Sequence, residues 1–170
     1  LYGGNQMTEA NEFVITRVLN APRDLVFKVW SELDHLKNWW GPTGLEWVYA
    51  TQDFRPGGRF LYNMRSPEGE DLWGKFDYKE IVEPEKIVFT NAFSDPEGNI
   101  IRPPFSPIFP LEILNNVTFT ENEGKTTIIL RGGPINATEE EHNFFKGMFE
   151  SMEQGFGGTF DQLADYLAKL

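Results

Sequence analysis

Thr138-Glu139-Glu140-Glu141 opens the stretch that decides the fold, and Phe145, Phe149, Met152, Phe156, Phe160, Leu163 and Leu167 carry it to its end. Thr138 and Glu141 stand at capping-box spacing, where hydroxyl and carboxylate each satisfy an orphan N–H of a helix start. Three acids in the first turn complement the helix dipole. The seven apolar residues recur every three or four positions, which is one wide face of a long helix. Such a stripe needs an apolar surface of equal length to lie on. Gly147, Gly155, Gly157 and Gly158 interrupt it, each at a cost of about 0.8–1 kcal/mol relative to alanine. Two readings stay open for them. The default is a kink or close packing against a neighbouring layer, and the sharper one is room for a ligand beneath the helix.

Working back from that helix, the chain supplies the surface. Residues 12–19 alternate Phe13, Ile15 and Leu19 on one face, the period of a half-buried strand. Pro22 suits a helix start because its missing N–H needs no partner there. Leu25, Val26, Val29, Trp30 and Leu33 then form one helical face, and a short second turn over 34–38 ends at Trp39-Trp40-Gly41-Pro42. Strand patterns follow over 45–54, 59–65, 72–82 and 86–93, joined by Arg55-Pro56-Gly57-Gly58, Ser66 to Asp71 and Glu83-Pro84-Glu85. Short turns between successive strands mean an antiparallel meander. A last hairpin over 111–121 and 125–131 turns at Asn122-Glu123-Gly124.

Between the fifth strand and that hairpin, residues 94–110 hold Pro96, Pro103, Pro104, Pro107 and Pro110, which keeps them out of a sheet. Ile100, Ile101, Phe105, Ile108 and Phe109 lie among the prolines, so the loop is expected to fold back as a lid or to pack on a partner. The order β-α-α-β6-α predicts an α+β domain over residues 12–170, a curved antiparallel sheet wrapped around the long C-terminal helix. Residues 1–11 read as a flexible tail, the first six as an addition ahead of a natural start at Met7.

Composition narrows the functions. Cysteine is absent, which excludes disulfides, thiolate metal sites and a cysteine nucleophile. With 15 Lys plus Arg against 26 Asp plus Glu, the net charge is −11; such a surface repels nucleic-acid phosphates and anionic headgroups. No apolar run approaches the ~20 residues of a membrane span, and the N-terminus has no signal-peptide pattern, so the cytoplasm is the expected location. Fifteen Phe, five Trp and five Tyr are more aromatic residues than a core of this size ordinarily needs, a first pointer to a lined cavity.

Several stretches, in this order, resemble one family. Ala21-Pro22-Arg23-Asp24-Leu25-Val26-Phe27, Trp39-Trp40-Gly41-Pro42, the glycine hairpin Asp53 to Phe60, the strand pair Gly74 to Thr90, and Gly155-Phe156 with Phe160 to Leu167 are similar to START-like, birch-pollen-allergen-like (helix-grip) domains. They resemble in particular the branch homologous to the activator of the ninety-kilodalton heat-shock-protein ATPase, although Phe156 stands where that branch usually has tryptophan. The resemblance implies a deep, mostly apolar cavity between sheet and helix. Its relatives include lipid and hormone carriers, aromatic polyketide cyclases and the chaperone activator.

No catalytic, nucleotide or metal motif appears, and no cofactor or metal is assigned. His35 and His142 read as surface positions. The candidate cavity residues are Trp39 and Trp40 at the mouth, Phe60, Tyr62, Trp73 and Phe76 on the strands, Phe89, Phe105 and Phe109 at the far side or lid, and Phe149, Met152 and Phe156 on the helix. Ordinary core packing is the competing reading for each. The function expected is binding of a hydrophobic small molecule that is lipid-, polyketide- or aromatic-like. The alternatives are a protein–protein module with a chaperone or homodimer partner, and a cyclase- or hydrolase-like enzyme using Tyr62, Asp53 or a histidine.

Overall fold

The structure is a computed structural model and describes residues 12–170; the tail expected over residues 1–11 lies outside the described residues. Among the described residues, seven strands are β1 (Phe13–Leu19), β2 (Glu46–Gln52), β3 (Arg59–Arg65), β4 (Asp71–Val82), β5 (Lys86–Phe93), β6 (Ile113–Asn122) and β7 (Lys125–Pro134). They form one sheet in the spatial order β1-β7-β6-β5-β4-β3-β2. The helices are α1 (Arg23–Ser31), α2 (Leu33–Leu36), α3 (Glu139–Gly147) and α4 (Phe149–Ala168). This is the α+β helix-grip arrangement the element order predicts.

Every neighbouring pair is antiparallel, and the register shifts between Trp47 and Tyr49 and between Tyr78 and Glu80. Such bulges bend a strand and raise its twist, which curls the sheet. The turn between β2 and β3 depends on its glycines. Gly57 sits at φ +86°, and a Cβ on Gly58 would lie 2.0 Å from the Asp53 carbonyl oxygen. Gly57 N–H donates to the Tyr78 carbonyl at 2.8 Å and Tyr78 N–H to the Gly58 carbonyl at 3.0 Å, stitching the turn to β4.

On β1 the inward row is Phe13, Ile15, Arg17 and Leu19, with Val14 and Val18 exposed. Arg17 uses that position to reach α4, donating to Asp161 Oδ1 at 2.9 Å and to the Gly157 carbonyl at 3.3 Å. The solid core lies at the other end of the concave face. Trp39 packs on Trp30 with ring centroids 4.8 Å apart, its indole N–H donating to the Val29 carbonyl at 3.0 Å, and Phe76 stacks on Phe89 at 4.1 Å.

The C-terminal helix departs from expectation. Instead of one helix there are two, joined at Met148 (φ −98°, ψ 2°), whose N–H donates to the Phe145 carbonyl at 3.0 Å. That is a bond to the residue three back, a tightened turn of the sort that kinks helices, directly after Gly147. In α4 the buried residues are Thr159, Phe160, Leu163 and Leu167, all in its second half. Close packing does not explain the other glycines. A Cβ on Gly155 or Gly157 would meet nothing within 4 Å, and one on Gly158 only Thr43 Oγ1 at 3.9 Å.

The proline-rich loop, residues 94–112, does fold back. Ile101 N–H donates to the Phe93 carbonyl at 3.1 Å. Phe93, Phe105 and Phe109 form an edge-to-face trio with centroids 5.5–5.7 Å apart, and Phe109 meets Phe144 of α3 at 6.2 Å. Arg102 fixes the arrangement, donating to the Phe109 carbonyl at 2.6 Å and pairing with the Glu141 carboxylate. Glu141 also completes the capping box with Thr138, so one carboxylate ties the loop to the start of α3. The Thr138 backbone N–H, and then the Arg102 guanidinium, hold its carboxyl below the usual value of 4.5.

Because that folded value is depressed, its stabilisation is present above pH 4.5 and fades as pH falls through the folded value. Thermal melts across the acid range should show Glu141→Gln losing less stability on acidification than the parent. Thr138→Ala should cost about 1 kcal/mol at neutral pH. Parallel acid profiles for parent and Glu141→Gln would remove this role.

Candidate functional site

Beside the contacts of the first half of α4 with β1, two adjoining pockets share lining residues and form a two-lobed chamber. The outer lobe, about 490 Å³, lies under α4 between Trp40, Met64 and Phe105; the inner one, about 200 Å³, reaches the strands at Asn91, Ile113 and Asn115. Tyr62, Leu72, Phe93, Phe109, Met148, Met152 and Phe156 border both. Pro42, Thr43, Phe105, Gln154 and Gly155 border the outer lobe and are exposed, so they form its rim. Gly155 and Gly158 line the outer lobe from the helix side, and a Cβ at either would meet at most Thr43 Oγ1 at 3.9 Å. Aromatic rings and methionine thioethers supply most of the wall, a lining that suits apolar ligands.

The polar groups in the chamber are few and placed by strand register. Ala50, Tyr62, Gly74 and Phe93 form one concave cross-strand row. Gly74 lets the Tyr62 ring lie over its backbone, since a Cβ there would come within 2.6 Å of the hydroxyl. Burial pushes the Tyr62 phenol up to about 12, with the Trp40 indole N–H acting weakly in the other direction. Deeper in, the Asn115 amide donates to Asn91 Oδ1 at 2.7 Å and to the Ile113 carbonyl at 3.3 Å.

The candidates chosen from sequence divide between chamber and core. Trp40, Tyr62, Phe105, Phe109, Met152 and Phe156 border the chamber. Trp73 touches the inner lobe, but its register partner is Asn63, on the face opposite Tyr62, and its ring packs on Tyr49 at 5.6 Å. Trp39, Phe60, Phe76, Phe89 and Phe149 do not border it. The first four are fully packed in the core, and Phe149 lies against Phe13 and Phe145 at 5.8 and 5.6 Å. Residues the sequence reading passed over include Met64, Leu72, Asn91, Phe93, Asn115 and Met148. Met64 and Phe93 stand two and four positions along a strand from chosen residues, so extending the period-2 rows would have reached them.

A larger open groove, about 1100 Å³, runs between α1, α2, the end of β2 and the β4–β5 turn. Asp24, Lys28, Glu32, Asp34 and Glu83 line it, so it is a solvated charged cleft and not an apolar binding cavity. Of the acid–base candidates, Tyr62 borders the chamber and the others lie away from it. Asp53 pairs with Arg55 at 2.7 Å, and His35 Nδ1 bonds the Tyr166 hydroxyl at 2.6 Å, pinning α2 to α4. His142 sits in the first turns of α3. Among the described residues, no group of three or more His, Asp or Glu is arranged to hold a metal ion, and no helix is long and apolar enough to cross a membrane.

The family model described as activator of Hsp90 ATPase homolog 1-like protein matches residues 20–168. Among solved structures, protein Ms6760 from Mycobacterium smegmatis is 26% identical, with 94% of this chain and 92% of that one covered and a TM-score of 0.75. A protein from Arthrobacter aurescens is 24% identical over 96% and 89% of the two chains at a TM-score of 0.77. One from Rhodobacter sphaeroides is 16% identical over 95% of each at 0.76. The last two likenesses speak to fold alone. No curated protein matches the chain.

Tyr62 and Tyr78 are both pushed up by burial, Tyr78 despite the Gln52 side chain that bonds it. Of the five tyrosines, these two should stay protonated in the folded protein well past the ordinary value of about 10. The unfolded chain ionises first, so stability is intact below pH 10 and falls as pH rises toward 12. Tyr62→Phe should therefore move alkaline unfolding to higher pH. Tyrosinate absorbance rising for all five residues together, with the fold intact, would contradict this.

Proposed function

The chain belongs to the family of activator of Hsp90 ATPase homolog 1-like proteins, and within that family we propose that it binds a hydrophobic small molecule between sheet and C-terminal helix. One observation carries the reading. The two-lobed chamber is bordered by aromatic and thioether side chains, with Gly155 and Gly158 facing its outer lobe. Glycines inside a helix that touch nothing cost stability; room for a guest gives them a reason. The Phe105 ring, 62% exposed at the rim, supplies apolar surface for a ligand to meet on entry.

The second reading, a protein–protein module, is favoured by the family description and by the apolar loop surface at Ile100, Ile101, Phe105 and Leu111. An unchanged ATPase rate of the ninety-kilodalton heat-shock chaperone on addition of this protein would remove it. An enzymatic reading has Tyr62 alone of its candidate residues at the chamber, and burial keeps that phenol protonated at neutral pH.

The uncharged dye N-phenyl-1-naphthylamine tests the first reading. Its fluorescence should rise on saturable, micromolar binding. Gly158→Leu should weaken that binding at least about tenfold, roughly 1.4 kcal/mol, while raising helix stability by about 1 kcal/mol. Opposite signs for binding and stability separate a filled chamber from a damaged fold. Absence of dye binding, or binding untouched by Gly158→Leu, would defeat the proposal.

A further inference from the structure

We propose that the chamber selects an uncharged, flat conjugated molecule that offers a carbonyl oxygen to donors at Tyr62 and Asn91. This rests on the small-molecule reading above and names the ligand's chemistry.

Charge exclusion is the first argument. The chain has 15 Lys plus Arg, 26 Asp plus Glu and two His, yet among the described residues none of these borders either lobe. An ionised ligand would enter without a counter-charge, and desolvating an unpaired ion is far costlier than desolvating a neutral polar group. The net charge of −11 adds long-range repulsion against anions. Fatty acids and other carboxylates are thereby disfavoured, and so are amines, which find no carboxylate inside.

Donor polarity is the second. The Ile113 carbonyl can only accept, so Asn115 must turn its NH₂ toward it, and the same NH₂ then donates to Asn91 Oδ1. That chain of constraint fixes the Asn91 amide. Its oxygen is taken, and its own NH₂ has no acceptor among the described residues while the residue borders the inner lobe. The Tyr62 hydroxyl borders both lobes and its O–H has no acceptor among the described residues, so it is available as a donor. Two donors face the chamber, so a carbonyl oxygen meets a need that a plain hydrocarbon leaves unmet. A buried donor left unpaired weakens a complex by roughly tenfold to a hundredfold. The aromatic walls at Trp40, Phe93 and Phe156 favour a flat partner.

Calorimetry with three matched tricyclic probes tests this: fluorene (no acceptor), fluorenone (one carbonyl) and fluorenone carboxylate (the same carbonyl plus a charge). Fluorenone should bind roughly tenfold tighter than fluorene, and the carboxylate at least about a hundredfold weaker than fluorenone. Tyr62→Phe should weaken fluorenone while leaving fluorene unchanged, so fluorene reports that the chamber is intact in the variant. Equal affinities for fluorene and fluorenone, or equal losses for both in Tyr62→Phe, would overturn acceptor recognition. Carboxylate binding as tight as fluorenone would overturn charge exclusion. Failure of all three probes to bind would instead strike the small-molecule reading itself.

Discussion

Everything distinctive about this molecule depends on how α4 is held, its second half tied to the segment after α2 and its first half meeting the sheet at β1. Gln162 donates to the carbonyls of Trp39 and Gly41 at 3.0 and 2.9 Å, and Thr159 to the same Gly41 carbonyl at 3.1 Å. Phe160, Leu163 and Leu167 bury their side chains alongside those bonds. The first half meets the sheet at its β1 edge, where Phe149 and Phe156 pack on Phe13 and Arg17 bonds the Gly157 carbonyl, and it leaves the chamber over the middle strands. Coming off a kink at Gly147–Met148, it crosses those strands at a distance and leaves its glycines facing space. Contact at the β1 edge and at the far end of the helix leaves a hollow between them in an ordinary helix-on-sheet layer.

The ionisable groups are sorted to match. Among the described residues no acid or base borders the chamber, and Arg17, on the inward row of β1, is spent on Asp161 and the Gly157 carbonyl. In a chain this acidic that sorting gives two surfaces with different solvent character. A strongly charged exterior keeps the protein apart from other anions, and a chamber lining without charge offers an ion no partner. Of the neutral polar groups inside, the Asn115 NH₂ is engaged twice and Asn91 through its oxygen.

The architecture was legible because it is written in short-range chemistry. Alternation marked β1, the Gly57-Gly58 turn marked the β2–β3 hairpin, and Thr138 with Glu141 marked the start of α3. The kink was foreshadowed by Gly147, although the strong apolar period hid the division into two helices. The chamber was harder to read for a physical reason. Period-2 patterning says which face of the sheet a residue occupies, but not how far away the opposite layer stands. Phe60 and Tyr62 share a face; one is sealed in the core by Trp47 and Phe76, and the other borders open space two residues on. Trp73 and Phe76, by contrast, differ in parity along β4 and face opposite sides. The glycines of α4 were the best available sign of the gap, and they took on that meaning only once their surroundings were known.

The central claim is that an apolar, uncharged hollow persists under the first half of α4. Diffraction from crystals under xenon pressure addresses it without reference to any particular ligand, because xenon enters apolar cavities of this kind. The account predicts xenon sites among Tyr62, Phe93, Met152 and Phe156. Crystals without xenon there, in which those rings and thioethers interlock across the space, would contradict it.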